Sequence, residues 1–235
     1  MAVTVALTGA SGFIGARLAA RLAEKGYRVK ALRHRAALPE PASDSRPEVV
    51  PGGLGDDAAL ARLCAGADAV VHCAALVRAR RAREFQRVNA EGVARLARAA
   101  AGAGSRPSVL LLSSLAAREP GLSAYAASKR AGERALAEQG SGLEWTVFRP
   151  PAVYGPGDRE LLSVFRWVRR RGVAPLPAAA EARFSLVHVD DLVAAMLAWL
   201  ATPGPAGRAY EVDDGSDDGY RWEQVLEMLA EALET

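Results

Sequence analysis

Three glycines near the N-terminus constrain the fold of this chain more than any other feature. They lie in the segment TGASGFIG, residues 8–15, which follows an apolar segment and precedes one with helical periodicity. Glycine permits a tight turn at the first position, a close approach of the backbone to a ligand at the second, and close packing of helix on strand at the third. Because the free N–H groups at the start of a helix attract phosphate, the spacing predicts a dinucleotide-binding turn. The predicted contacts are Gly9, Ser11, Gly12, Phe13, Ile14 and Gly15.

Apolar segments rich in valine and leucine alternate with segments of helical period through the first 150 residues. The predicted strands span residues 3–8, 27–32, 69–73, 108–113 and 143–148, with a short further strand before residue 51. Continuous apolar strands separated by helices are typical of a parallel sheet covered on both faces. The pattern predicts an α/β fold, a Rossmann-type doubly wound parallel sheet. Residues 1–150 would form the dinucleotide-binding domain and residues 151–235 a small substrate-binding region interleaved with it.

Length and composition limit the class of protein further. The 235 residues are half hydrophobic, which suffices for one globular core. No stretch approaches the ~18 apolar residues of a membrane-spanning helix, and the first residues form a strand-like segment rather than a secretion signal. The two cysteines are Cys64 and Cys73, and Cys73 lies in an apolar segment where a buried thiol is ordinary. These features predict a soluble, unprocessed cytoplasmic protein with no membrane partner.

The position after the second predicted strand bears on the choice of cofactor. NAD-binding proteins usually place an acidic residue there for the ribose hydroxyls, whereas this chain has Arg33, followed by Arg35. A guanidinium suits a 2′-phosphate, and the carboxylate that would repel it is absent. In a chain this rich in arginine, both residues could instead be solvated surface groups. The sequence therefore favours NADP and leaves NAD open.

A tyrosine and a lysine four residues apart form the candidate catalytic pair. Tyr125 and Lys129 share one face of a predicted helix. A nearby ammonium favours the tyrosinate form, which predicts that Lys129 lowers the pKa of Tyr125 and fits it for acid–base chemistry. Lysine is scarce in this chain, so chance placement of the pair is unlikely to explain it.

Several further segments of the chain resemble the motifs of a known family. They are LLLSSLAA at 110–117, VVHCAA at 70–75, FRPPAVYGPGD at 148–158 and FSLVHVDDLVAAML at 184–197. Together with the glycine turn and the Tyr–Lys pair, they resemble the extended short-chain dehydrogenase/reductase superfamily, the NAD-dependent epimerase/dehydratase family. The resemblance covers nearly the whole chain.

The resemblance implies roles for particular residues. A serine at the end of the strand before the Tyr–Lys helix would stabilise charge on the substrate oxygen, and Ser114 aligns better than Ser113. Lys129 would also hold the nicotinamide ribose, which Tyr125 adjoins. Further cofactor contacts implied by the resemblance are Ala74 and Ala75 on the adenine-ribose side and Pro150 and Val153 beside the nicotinamide.

Other polar residues of these segments are expected to be structural. Asn89 resembles the family asparagine that anchors the central helix to a neighbouring strand. His188 is expected to support the substrate region while Asp190 caps the next helix, and His72 is expected to be a packing residue. The family's usual acidic residue after the third strand is displaced to Asp56, so adenine contacts there stay open.

The sequence thus predicts an NAD(P)-dependent oxidoreductase or nucleotide-sugar epimerase/dehydratase that moves hydride between nicotinamide and a carbinol or carbonyl carbon. The alternative is a non-catalytic dinucleotide-binding regulatory or assembly protein of the same fold. The expected partner is a small-molecule substrate, which a nucleotide sugar would fit, and no metal or nucleic acid is expected. A homodimer through the Tyr125 and Asn89 helices is a further expectation.

Two clusters of arginines could meet an anionic substrate or be solvated helix faces. They are Arg78, Arg80, Arg81 and Arg83, and Arg166, Arg169, Arg170 and Arg171. Phe165 and Trp167, beside the second cluster, could stack on a base or pack in the core.

Overall fold

A parallel sheet forms the centre of the molecule. The computed structural model describes residues 2–39, 46–158 and 182–232. Within these residues the sheet contains β1 (Thr4–Thr8), β2 (Arg28–Arg33), β3 (Glu48–Pro51), β4 (Ala69–His72), β5 (Ser108–Leu112), β6 (Trp145–Arg149) and β10 (Arg208–Glu211). Their order is β10-β6-β5-β4-β1-β2-β3, and every pairing is parallel. The predicted doubly wound fold is confirmed.

Helices cover the sheet, and short strands lie beyond its carboxyl edge. The helices are α1 (Phe13–Glu24), α2 (Asp57–Cys64), α3 (Ala82–Phe85), α4 (Gly92–Ala101), α5 (Ala124–Gln139), α6 (Val189–Ala201) and α7 (Trp222–Ala232). A π-helical segment, Gln86–Glu91, joins α3 to α4, and 3₁₀ turns at Leu115–Arg118 and Pro120–Leu122 precede α5. The short strands are β7 (Ala152–Tyr154), β8 (Arg183–Phe184), β9 (Leu186–His188) and β11 (Tyr220–Arg221). β7 pairs with β9 in parallel, and β8 pairs with β11 antiparallel.

The core has one layer on each face of the sheet, because alternate strand side chains point to opposite sides. On one face Val5 and Leu7 pack with α1 and α6, where Leu18 and Met196 are fully buried. On the other face the strands pack against α2, α4 and α5. The central strands are therefore buried on both sides, which explains their continuous apolar sequences.

Two elements differ from the sequence prediction. The helical segment predicted between the fourth and fifth strands is interrupted by the π-helical stretch, in which Asn89 lies. The strand β10 was not predicted, because its sequence RAYE is polar and each of its residues is exposed. It brings the region after residue 150 into the main sheet, so the division into two domains stays a prediction. None of the described helices has the length and apolar character needed to cross a membrane.

Candidate active site

The glycine turn forms a cradle between β1 and the loop after β4. Gly9 has a φ of +77°, and a Cβ atom there would lie 2.6 Å from the backbone N of Ala74. A Cβ on Gly15 would overlap the carbonyl oxygen of Gly9, whereas Gly12 is exposed at the start of α1. No side chain caps α1, and its first turn has no acidic residue. The open cradle and uncapped helix start fit a dinucleotide pyrophosphate.

The other predicted cofactor contacts surround this turn at the carboxyl edge of the sheet. Ser11 is exposed, and Phe13 and Ile14 are half-buried. Ala74 and Ala75 are half-buried after β4, and the Ala74 N–H donates to Thr8 Oγ1 at 3.3 Å. The strands β1 and β4 are thereby held together beside the cradle.

Arg33 ends β2 with an exposed side chain, and its carbonyl accepts a hydrogen bond from Gly52 N. Asp56, the displaced acidic residue, caps α2 by accepting a hydrogen bond from Ala59 N at 3.0 Å. The capping role explains why Asp56 stands at this position.

Tyr125 lies in the first turn of α5, where Ser123 caps the helix. The half-buried ring packs edge-on against Phe85 with the centroids 6.0 Å apart. Burial raises the pKa of Tyr125, and a hydrogen bond with Ser114 lowers it, with a net rise. Because burial has the larger effect, the pKa of Tyr125 lies above its ordinary value, whereas the sequence predicted a lowered one.

Lys129 lies one helical turn further along α5 and is 5% exposed. Its Nζ donates to the carbonyl oxygen of Leu112 at 2.7 Å. Burial lowers the pKa of Lys129 to about 8, while its electrostatic interactions with Cys73 and Glu133 act to raise it. The lysine is thus held at the end of β5 rather than in solvent.

The two candidate serines have different partners. Ser113 is buried, and its hydroxyl donates to Glu133 Oε1 at 2.6 Å. Ser114 is half-buried, starts the 3₁₀ turn by accepting a hydrogen bond from Ala116 N, and hydrogen-bonds Tyr125. Of the two, Ser114 is the one whose hydroxyl adjoins the tyrosine.

Asn89 connects the loop after β4 to α5 by hydrogen bonds. Its amide exchanges hydrogen bonds with the backbone of Leu76, at 2.8 and 2.9 Å, and donates to Ser128 Oγ at 3.0 Å. A Cβ on Gly132 would overlap the carbonyl oxygen of Asn89, so α5 packs directly on the π-helical segment. These contacts tie the loop after β4 to the helix that carries Tyr125.

The histidines of the motifs make local contacts. His188, rather than Asp190, caps α6, because its Nδ1 accepts a hydrogen bond from Asp190 N at 3.3 Å. The predicted cap was wrong since Asp190 binds Arg17 of α1 instead, in a two-pronged ion pair. His72 is buried, and its Nδ1 is hydrogen-bonded to Thr8 Oγ1 at 2.8 Å.

The segment after β6 borders the same edge. Pro150 is buried, and its carbonyl accepts a hydrogen bond from Leu115 N at 2.8 Å, next to Ser114. Val153 is half-buried in β7, opposite Val187.

The arginines after β4 are exposed, whereas Phe165, Trp167 and the arginine cluster at 166–171 lie outside the described residues. In the part of the chain that the structure describes, no group of three or more His, Cys, Asp or Glu residues could hold a metal ion.

Sequence reasoning missed Glu133 and Arg149. Glu133 is 7% exposed and forms a two-pronged ion pair with Arg149 at 2.9 and 2.6 Å. The available signal was spacing, since Glu133 follows Lys129 by four residues and therefore shares its helical face.

Comparison with known proteins identifies the family. Residues 5–213 match the model of the NAD dependent epimerase/dehydratase family. The chain belongs to this family. This family member is accordingly an NAD-dependent enzyme of the epimerase/dehydratase family, and its relatives include reductases.

Similar proteins include two reductases and a protein whose structure contains UDP-glucose and NAD. This family member is 43% identical to the ceramide reductase of Caulobacter vibrioides over 230 residues, 97% of this chain and 70% of the relative. It is 33% identical over 210 residues to the (4-alkanoyl-5-oxo-2,5-dihydrofuran-3-yl)methyl phosphate reductase of Streptomyces griseus, with coverage of 88% and 67%. Among solved structures, MoeE5 in complex with UDP-glucose and NAD matches with a TM-score of 0.83 and 25% identity, covering 99% of this chain and 82% of MoeE5.

Proposed function

We propose that this enzyme reduces the carbonyl group of a substrate with a long alkyl chain, with Tyr125 as the proton donor. The observation that carries the proposal is the placement of the Ser114 hydroxyl next to the Tyr125 phenol at the carboxyl edge of the sheet, beside the glycine cradle. The likeness to ceramide reductase over almost the whole chain supports both reduction as the direction of the reaction and the class of substrate.

The protonation state of Tyr125 favours reduction. Because burial raises its pKa, the phenol carries its proton at neutral pH and can donate it. When bound against the glycine cradle, a reduced nicotinamide would supply the hydride that the carbonyl carbon takes up. Ser114 donates a hydrogen bond to the carbonyl oxygen, and Tyr125 transfers its proton to that oxygen as the alcohol forms. The Lys129 ammonium stabilises the tyrosinate left behind until a proton from solvent replaces the one transferred.

Exposed apolar side chains beside the site support an alkyl substrate. Leu122 is 79% exposed three residues before Tyr125, and Val77 is 56% exposed next to Leu76, which Asn89 holds against α5. Contact between these exposed apolar side chains and an alkyl chain removes apolar surface from water, which is favourable in free energy. We therefore assign them to the entrance for the substrate chain.

A second candidate is the epimerisation or dehydration of a nucleotide sugar, as predicted from the sequence. It is favoured by the likeness to MoeE5, whose structure contains UDP-glucose, and by the exposed arginines of the first cluster. A non-catalytic role is disfavoured because Tyr125, Lys129 and Ser114 are all present. A homodimer through α4 and α5 stays a prediction.

For the cofactor we propose NADP, since Arg33 stands where an acidic residue would bind the ribose of NAD. Its exposed side chain lies at the end of β2, at the same edge as the glycine cradle. The proposed cofactor contacts are those predicted from the sequence: Gly9, Ser11, Gly12, Phe13, Ile14, Gly15, Arg33, Ala74, Ala75, Tyr125, Lys129, Pro150 and Val153.

Turnover of defined substrates tests the assignment. We expect NADPH-dependent reduction of a ceramide-type ketone with a long acyl chain, and Tyr125→Phe should lower kcat by at least about a hundredfold while NADPH still binds. Tyr210→Phe is the matched control, because that phenol is exposed on β10 and its ring contact with Phe148 is kept. Reduction that survives in Tyr125→Phe would overturn the assignment of the proton donor. Epimerisation of UDP-glucose without ketone reduction would establish the second candidate instead.

A further inference from the structure

A row of polar side chains crosses the carboxyl edge of the sheet beneath α5. Thr8 pairs in register with His72, and His72 pairs with Leu111, two residues before Ser113. Leu111 pairs in turn with Val147, two residues before Arg149. Paired residues of parallel strands, and residues two apart, share one face of a sheet. The row therefore consists of Thr8, His72, Ser113 and Arg149 on the face that α5 covers.

The helix α5 adds one cation and one anion to this row. Lys129 and Glu133 lie one turn apart, and both are buried. Glu133 binds Ser113 and Arg149, and Arg130 approaches it from the outer side at 3.2 Å. Lys129 donates to Leu112 O, directly before Ser113.

Glu133 is held as an anion although it is buried. Hydrogen bonds from Arg149 and Ser113, together with the charges of Arg149 and Arg130, hold its pKa below the ordinary value. Removing a carboxylate from water costs free energy, and these donors offset that cost. A fixed negative charge thus stands one helical turn from the Lys129 ammonium.

The remaining titratable groups around Lys129 are neutral near pH 7. Burial lowers the pKa of His72 to about 3, and it raises the pKa of the Cys73 thiol to about 12. Tyr125 on the same helix keeps its proton, because its pKa is raised. Among the described groups that act on the pKa of Lys129, Glu133 is accordingly the one that carries negative charge at neutral pH.

We infer that Glu133 is a positioning residue, whose carboxylate, fixed by Arg149 and Ser113, keeps the Lys129 ammonium charged in its buried place. Glu133 acts through Lys129, since its carboxylate accepts hydrogen bonds from Ser113, Arg130 and Arg149 rather than from Tyr125. The consequence for proton transfer rests on the proposed function, whereas the charge on Lys129 does not.

The chain contains only three lysines, so lysine NMR can test the inference directly. With lysine labelled at ¹³Cε, the signal of Lys129 is the one that disappears in Lys129→Arg. We expect Glu133→Gln to lower the pKa of Lys129 by about one unit or more, since it removes the neighbouring anion. Glu138→Gln, an exposed change of the same kind on α5, should leave the titration unchanged. An unaltered Lys129 titration in Glu133→Gln would overturn the inference.

A double variant separates loss of the anion from exposure of an unpaired Arg149. Glu133→Gln with Arg149→Met removes both charges and avoids a buried guanidinium without a partner. We expect the pKa of Lys129 to stay below its wild-type value in the double variant. Return of the titration to that of wild type would show that Arg149, not Glu133, governs Lys129, and would overturn the inference.

Kinetics supply a second readout. If Lys129 must be charged for turnover, the decline of kcat/KM at alkaline pH should move to lower pH in Glu133→Gln and not in Glu138→Gln. A failure of the proposed function would be seen separately, as turnover retained by Tyr125→Phe. The NMR titration uses the protein without substrate and therefore tests Glu133 in either case.

Discussion

The proposed preference for NADP depends on the positive charge of Arg33. If it binds the 2′-phosphate, Arg33→Ala should weaken NADPH binding at least about tenfold, because a charge-assisted contact is worth roughly 1.5–3 kcal/mol. Binding of NADH should change little. Titrations of both cofactors, followed by fluorescence or calorimetry, measure the two constants.

Arg28→Ala is the matched control, since Arg28 is exposed at the opposite end of the same strand. A preference for NADPH that persists in Arg33→Ala, or that is missing from the wild-type protein, would contradict the phosphate assignment.

Single residues also show what the sequence could and could not supply. The Tyr125–Lys129 spacing was visible because helical geometry places residues four apart together. The choice between Ser113 and Ser114 needed the structure, since it depends on which hydroxyl Glu133 accepts from. The pKa of Tyr125 could not be predicted either, because burial set by Phe85 and α5 decides its direction.

Among the elements, the glycine turn offers a clean separation of steric and conformational effects. Gly9 and Gly26 have nearly the same φ, +77° and +80°, but a Cβ on Gly26 would meet nothing within 4 Å. Gly26→Ala should therefore cost only the left-handed strain, about 1–2 kcal/mol of unfolding free energy. Gly9→Ala adds a collision with the Ala74 backbone and should cost more stability and abolish dinucleotide binding. Denaturant unfolding and cofactor titration measure both effects.

Equal losses of unfolding free energy in Gly9→Ala and Gly26→Ala, with cofactor binding kept in Gly9→Ala, would contradict this prediction. The close approach of Gly9 to the loop after β4 would then matter neither for stability nor for cofactor binding.

The predictability of the elements follows their burial. The strands β1, β4 and β5 were predicted well because both of their faces are apolar. The strand β10 was missed since pairing with β6, rather than any sequence pattern of its own, makes it a strand. The π-helical segment was missed because no local sequence pattern marks it; in the structure it places Asn89 against Gly132 of α5.

At the scale of the whole molecule, buried His72 links stability to pH. The unfolded chain binds a proton on this histidine below pH 6.5, whereas the folded protein does so only near pH 3. The free energy of unfolding should therefore fall as the pH drops through this range. His72→Asn removes this contribution, so the loss of stability between pH 7 and pH 4.5 should shrink by about 2–3 kcal/mol. Urea unfolding at the two pH values measures the difference.

The exposed His34 provides the control, and His34→Asn should keep the pH dependence of the wild type. A His72→Asn protein that loses as much stability as wild type on acidification would show that other groups carry the effect.

The pairing of β10 with β6 has a consequence for synthesis on the ribosome. The strands β1 to β6 leave the ribosome before β10 and can assemble outward from β1, which lies inside the sheet. Until residues 208–211 emerge, the backbone N–H and C=O groups along the outer side of β6 have no strand to pair with. An open strand edge is a template for pairing with another chain. The nascent protein therefore passes through a stage in which the largely apolar β6 is open to such pairing, and the polar strand β10 then replaces it at the edge of the sheet.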